Sequence, residues 1–223
     1  MEASVTKQFI ILALHPEKGR IMILQNHFRY ALIGSLLMDL LLNGEVTMSH
    51  RRLIPSLRKN GERIHDMIAG MMEEKSNPHR VSYWVRRLSL RSNLVYRETV
   101  GQMASRGILS HEKRYFLGLI PYNRYNLVDK RHREQILNGL RDVLIHGKEA
   151  TGVQSMLIGL LKASSASHIL AKEKAEKPVL RKLCRNFRTD NEMATEIDRA
   201  IREVQAAIVA SVTAATAASH ASH

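Results

Sequence analysis

A chain of 223 residues, 44% apolar and 25% charged, can bury one core or two small ones and is not a disordered chain. Its one cysteine, Cys184, excludes an intrachain disulfide framework and a four-cysteine zinc site. The net charge of +13 sits mostly in the middle: residues 51–148 hold 20 basic and 9 acidic groups, against 4 and 4 before and 10 and 8 after, a field that attracts nucleic acid or anionic lipid headgroups.

The opening "MEASVTKQF" lacks the basic region and cleavage site of a signal peptide. "SVTKQFIILALHPEKGRI" reads as a short helix, then a turn at its His-Pro-Glu-Lys-Gly punctuation. From His27, "HFRYALIGSLLMDLLLNGEV" spaces Leu32, Leu36 and Leu40 as a helix does, and Asn43-Gly44 ends it. Gly34 within it either admits a close helix neighbour or simply weakens the helix. The apolar run Ala31–Leu42 is too short to cross a bilayer and carries Asp39 in its middle. A soluble cytoplasmic protein that can still sit on a membrane surface is expected.

"RRLIPSLRKNGERIHDMIAGMMEEK" predicts a loop followed by a helix over about 61–75, with Ile64, Met67, Ile68, Met71 and Met72 along one stripe. Such a stripe can be a pliable binding surface, but core packing is its commoner cause. "VSYWVRRLS" opens another helix after Pro78, and "SNLVYRETVGQMASRGIL" a further one stopped by Gly107. A β-hairpin is predicted over about 108–128. "DKRHREQILNGLRDVLIHG" is amphipathic, with Asp129 as N-cap and Gly147 as C-cap. "TGVQSMLIGLLKASSASHIL" reads as a buried helix and "KEKAEKPVLRKLCRNFRTDNE" as a basic connector with a helical piece. A long Ala-rich helix over about 191–218 closes the chain, with Ile197, Ile201, Val204, Ile208 and Val212 on one face. The fold class expected is mainly α, a single compact helical domain with one protruding β-hairpin.

Catalytic chemistry finds little support. The 11 histidines form no H-E-x-x-H pattern, the 12 glycines form no phosphate-cradling loop, and no paired carboxylates or nucleophile elbow occur. Cys184, between Lys182 and Arg185, is placed to favour thiolate, although a lone cysteine is more often a small core residue. No enzyme activity, cofactor or metal is expected.

Two binding readings stay open for "RGILSHEKRYFLGLIPYNRYNLVD". A helix followed by two short strands is the layout of a winged helix, whose "HEKR" and Arg124 would contact a nucleic-acid backbone. Alternatively, Tyr115, Phe116, Leu117, Leu119, Ile120 and Tyr122, flanked by Lys113, Arg114 and Arg124, suit the headgroup boundary of an anionic bilayer. A plain hairpin packed on the helices by one face is the third possibility. The helix ahead of it has Arg97 as its one cation, opposed by Glu98, which makes a poor groove reader.

The ordered segments "ALIGSLLMDLLLNGEV", "VSYWVRRLS", "ASRGILSHEKRYFLGLIPYNRYNLVD", "REQILNGLRDVLIHG" and "EVQAAIVASVTAA" resemble the Golgi phosphoprotein 3 family over nearly the whole chain, about Val5 to Ala215. The resemblance implies a helical domain with a protruding hairpin, no enzymatic activity, and peripheral attachment through phosphatidylinositol 4-phosphate in the Golgi members. It also implies self-association or membrane contact by the hairpin and an adaptor role for client protein tails. The family's lipid-binding Trp and three Arg positions fall here at Leu24, Ile33 and near Asn93 and Tyr96. Without arginine's planar fork a monophosphate would be poorly held there. That departure, with a chain that starts almost at the domain, points to a bacterial relative rather than a protein of the cytosolic Golgi face. Arg86, Arg87, Arg91 and Arg97 are the expected lipid contacts. Phe116, Leu117, Leu119, Ile120 and Tyr122 are the expected membrane or oligomer contacts of the hairpin. The expected partners are anionic membrane lipid, a second copy and client tails; nucleic acid is not.

Overall fold

The computed structural model describes residues 4–58, 61–116, 119–188 and 196–220, without the side chains of 116, 120–122, 196–201 and 219–220. In chain order the elements are α1 (Val5–Ala13), α2 (Gln25–Leu42), β1 (Val46–Ser49), β2 (Arg52–Pro55), α3 (Arg63–Glu73), β3 (His79–Arg80), α4 (Val81–Ser89) and α5 (Ser92–Ser105). They continue with β4 (Leu109–Phe116), β5 (Ile120–Leu127), α6 (Lys130–His146), α7 (Gly152–Ala163), the 3-10 turn η1 (Ser167–Leu170), α8 (Glu176–Asn186) and α9 (Glu196–His220). The fold is mainly α, with the strands in small antiparallel groups.

Helix α2 is the axis. Residues 31–41 are all buried, so it is enclosed on every side rather than amphipathic, and α1, α4, α5, α7 and α9 pack around it. One continuous apolar cluster results, running from Val5 in α1 to Val212 in α9. Gly34 is the point of closest approach to α9. A Cβ there would meet the Ile208 side chain, with Cγ1 at 2.9 Å, and Val204 Cγ1 at 3.3 Å. Of the two roles open to this glycine, close packing is the one it fills.

Asp39, the acid inside the apolar run, is buried and caps a different helix. Its carboxylate accepts from the backbone N–H of Val5 (2.7 Å) and Thr6 (3.0 Å) and from Ser4 Oγ (2.8 Å). Two of the N–H groups that any helix start leaves orphaned are thus satisfied across the core.

The segment expected as a loop after α2 is instead a second hairpin. β1 and β2 pair from Val46↔Pro55 to Ser49↔Arg52, and β3 adds to the far edge of β2. The connecting residues, His50 (φ 49°) and Arg51 (φ 61°), are both left-handed, the conformation of a tight two-residue hairpin turn. Asn-Gly usually announces such a turn, and His-Arg does not, which is why the strands escape a sequence reading. The helical piece expected in the basic connector after η1 is α8, with Pro178 in its first turn, where a missing N–H costs nothing.

Candidate functional site

Strands β4 and β5 form the predicted hairpin, in register from Leu109↔Leu127 to Phe116↔Ile120. Its base is fixed to the helical body. Leu109 and Leu127 are buried, and Val128 N–H donates to the Ile108 carbonyl at 3.1 Å. Tyr125 stacks on His111 (centroids 5.0 Å apart) and meets Tyr96 of α5 edge-on at 6.3 Å, while Tyr96 meets Phe28 of α2 at 5.7 Å. The α1–α2 connection grips the outer strand: Arg124 Nη2 donates to the Glu17 carbonyl at 2.7 Å, and Lys130 pairs with the Glu17 carboxylate at 2.5 Å. That carboxylate is held below the usual range by Lys130. Gly19 has no room for a Cβ, which would lie 2.5 Å from the Tyr125 carbonyl.

Beyond the base, β4 stands free over its described side chains. Residues 110–115 are exposed without alternation, whereas a strand with one face packed would bury every second side chain. The third possibility, a hairpin laid on the helices, therefore does not hold for β4. Leu119 near the tip is 83% exposed and Tyr115 is 56% exposed. Lys113 and Arg114 lie beside them, the latter bonded to Glu112 at 2.9 Å. Leu117 and the side chains of Phe116, Ile120 and Tyr122 lie outside the described residues.

The four expected arginines are all exposed. Arg86 and Arg87 occupy the outer face of α4, whose inner face buries Val81, Trp84, Val85 and Leu88. Arg91 is the N-cap of α5, and Arg97 sits roughly 9 Å further along that helix. Arg86, Arg87 and Arg91 bracket Leu90, which is 74% exposed, so the α4–α5 corner presents an apolar side chain among three cations. Among the described residues none of the four has a carboxylate within ion-pair distance. Arg29 of α2 fixes this corner, donating to the Ser89 carbonyl (3.0 Å) and to Ser92 Oγ (3.1 Å). Neither Leu90 nor Arg29 carries a sequence signal for this. Among the described residues no side-chain hydrogen bond or ion pair joins these arginines to the hairpin.

The four positions that the resemblance sets against lipid-binding Trp and Arg carry other side chains. Leu24 is exposed, Ile33 is fully buried and Asn93 is exposed. Tyr96 is half-buried in the aromatic group, and burial, then the neighbouring Tyr125, pushes its hydroxyl up to about 12. None of them offers a cation to a phosphate.

A cavity of about 570 Å³ between α1, α2 and α3 is lined by Lys7, Asp39, Glu62, His65, Arg106 and His132 among others. Its charges are mutually engaged. Glu62 pairs with Lys7 (2.5 Å) and lies 3.8 Å from both Arg106 and His65, and His65 Nδ1 is 2.9 Å from the buried Glu45 carboxylate. Burial opposes the Glu62 charge, but Lys7 holds its carboxyl below the usual range. No group of three or more His, Cys, Asp or Glu suited to a metal occurs among the described residues.

Of the two readings of Cys184, the structure fits the small core residue and not the thiolate. Its Sγ points at the Ile158 carbonyl (3.7 Å) in the core, and burial pushes the thiol up to about 11 despite Lys162. Iodoacetamide at pH 8.5 should therefore alkylate the native thiol about 100-fold more slowly than the urea-unfolded one, read by intact mass against time. Equal rates would place the thiol at the surface.

None of the described helices is long and apolar enough to cross a membrane. No curated protein matches the chain. The sequence model of one family does match, Golgi phosphoprotein 3 (GPP34), over residues 5–209. That span takes in α1, the enclosed α2, the projecting β4–β5 hairpin and α9 as far as its buried Ile208, and the chain belongs to the Golgi phosphoprotein 3 family.

Proposed function

We propose that the protein is a non-enzymatic peripheral membrane protein that docks on anionic phospholipid and serves there as an adaptor for protein tails. The observation that carries this reading is the exposed outer part of β4 with Leu119, which holds Tyr115 and Leu119 in solvent beside Lys113 and Arg114. Exposed aromatic and aliphatic side chains next to cations suit the boundary of an anionic bilayer, where rings and alkyl groups enter and charges stay at the headgroups. The +11 middle of the chain supplies the long-range attraction, and the Arg86, Arg87, Leu90 and Arg91 corner a second contact with Arg97 nearby. Because Ile33 and Tyr96 stand where arginines would grip a phosphate, the attraction is to charge density rather than to phosphatidylinositol 4-phosphate alone. Self-association through Phe116, Leu117, Ile120 and Tyr122 belongs to the same reading.

Sedimentation with phosphatidylcholine–phosphatidylserine vesicles tests it. Y115S/L119S should weaken vesicle binding about tenfold or more, from the apolar surface each residue no longer buries, with the melting temperature unchanged. Raising salt should weaken the wild-type protein as well. Vesicle binding equal to that of the wild type would sink hairpin insertion. A tight shift of duplex DNA without vesicle binding would favour the winged-helix reading, which the single cation of α5 argues against.

A further inference from the structure

A second recess lies between the end of α7 and α8, bounded by the turn into η1. It encloses about 430 Å³ and is lined by Lys162, Ser165, Ser167, Arg181, Cys184 and Arg185. Among the described residues the lining holds three cations, two hydroxyls and no carboxylate. Arg181 and Arg185 are four apart on α8 and so share a face, where like charges repel each other unless an anion comes between them. Among the described residues neither has a carboxylate within ion-pair distance, and Lys162 Nζ reaches only the Phe187 carbonyl, at 3.4 Å. The same helix does supply a carboxylate elsewhere. Glu176 in its first turn takes Arg141 of α6 in a two-pronged pair at 2.7 and 2.9 Å, away from the recess.

The turn at the mouth adds an independent sign. Ala166 N–H bonds to the Leu161 carbonyl (2.7 Å) and Ser165 N–H to the Lys162 carbonyl (3.2 Å), which closes α7 with a left-handed residue at 165. Glycine is the usual choice at that position, yet here a serine holds φ 55° in the lining of the recess. The turn is fixed before any ligand arrives. Ser164 Oγ donates to the Leu160 carbonyl at 2.7 Å, and His27 Nδ1 of α2 lies 3.0 Å from the Ser164 carbonyl. The floor is firm too, since Cys184 and Ser167 are buried.

We propose that this recess binds a phosphate monoester. Two guanidinium forks can each offer paired N–H groups to two oxygens, the Lys162 ammonium adds a point charge, and the Ser165 and Ser167 hydroxyls can donate to what is left. A dianion is attracted by the three cations, and a recess of this size admits a small phosphate ester but no duplex. The site is separate from the hairpin and does not rest on the membrane reading.

The test uses the full chain with two phosphate sources: glycerol phosphate in solution, by calorimetry, and phosphatidic acid in phosphatidylcholine vesicles, by sedimentation. R181Q/R185Q should weaken binding about tenfold or more, while R58Q/R80Q, which removes the same charge elsewhere, should not. S165G should raise the melting temperature by about 2 °C, because glycine suits the left-handed turn, yet bind more weakly. Saturable binding of glycerol phosphate that R181Q/R185Q loses establishes the site for a soluble ester; loss confined to the vesicle arm establishes it for a lipid headgroup. No saturable binding in either arm, or R181Q/R185Q binding as tightly as wild type, overturns the proposal. Because the calorimetric arm contains no membrane, failure of hairpin insertion leaves its result unchanged.

Discussion

Replacing Asp39 by alanine should lower the stability of the protein by about 3 kcal/mol, seen as a fall in melting temperature of about 8 °C by circular dichroism. The loss follows from where its partners sit. Val5 and Thr6 begin a helix whose Phe9, Ile10 and Leu12 are fully buried, so their N–H groups have little access to water once the carboxylate is gone. Ser4 Oγ loses its 2.8 Å acceptor as well, although it keeps a 3.3 Å bond from Lys7 N–H as the local cap of α1. The Asp39→Asn variant should fall between the wild type and D39A. Its amide keeps one acceptor oxygen for Val5 but turns an NH2 group toward the second N–H and the serine. A loss under about 1 kcal/mol for D39A would mean that water entering the neighbouring 570 Å³ cavity takes over the carboxylate's role.

The same residue shows what a sequence can and cannot disclose. An acid in an apolar run excludes a membrane span, and that much is readable. That it caps α1, more than 30 residues away in sequence, depends on how two helices pack, which no local pattern encodes. Elements with strong local signals stand where the sequence puts them. α2 ends at Asn43 with Gly44 left-handed (φ 68°), and α6 runs from an Asp129 cap that accepts from Arg131 N–H to a left-handed Gly147. The β4–β5 hairpin occupies the predicted stretch. The β1–β2 hairpin leaves no such mark, because His50 and Arg51 adopt the turn without the residues that favour it.

For the site, residue types are legible in the sequence and surroundings are not. The Cys184 neighbours are basic in sequence, yet α8 turns the thiol into the core, and burial outweighs charge. Arg86, Arg87 and Arg91 are visible as cations, but Leu90 becomes part of their surface only because the α4–α5 corner exposes it. Tyr96 and Ile33 are legible in the sequence as residues with no charge to offer a phosphate. The structure adds what surrounds Tyr96: an aromatic group that ties the hairpin's base to α5 and α2. β4 is thus anchored at its base by stacked rings and exposed beyond it over residues 110–115.

Substituting valine for Gly34 should cost about 3 kcal/mol, again a drop of about 8 °C, and the effect should depend on residue 208. A helix interior ordinarily gains about 1 kcal/mol from replacing glycine, and Gly101→Ala on the exposed face of α5, with no atom within 4 Å of the new Cβ, should show that gain. At position 34 the new atoms instead run into Ile208 and Val204, so α9 must move away from α2 or Ile208 must leave its rotamer. α9 also packs on α4, α7 and β1, so displacing it loosens those contacts as well. Ile208→Val removes the methyl nearest to the clash. On its own it should destabilise by about 1 kcal/mol, but combined with G34V it should recover part of the loss, a coupling that a double-mutant cycle measures directly. Strict additivity of the two substitutions would mean that α2 and α9 do not meet at this point, and the enclosure of α2 would then need a different account.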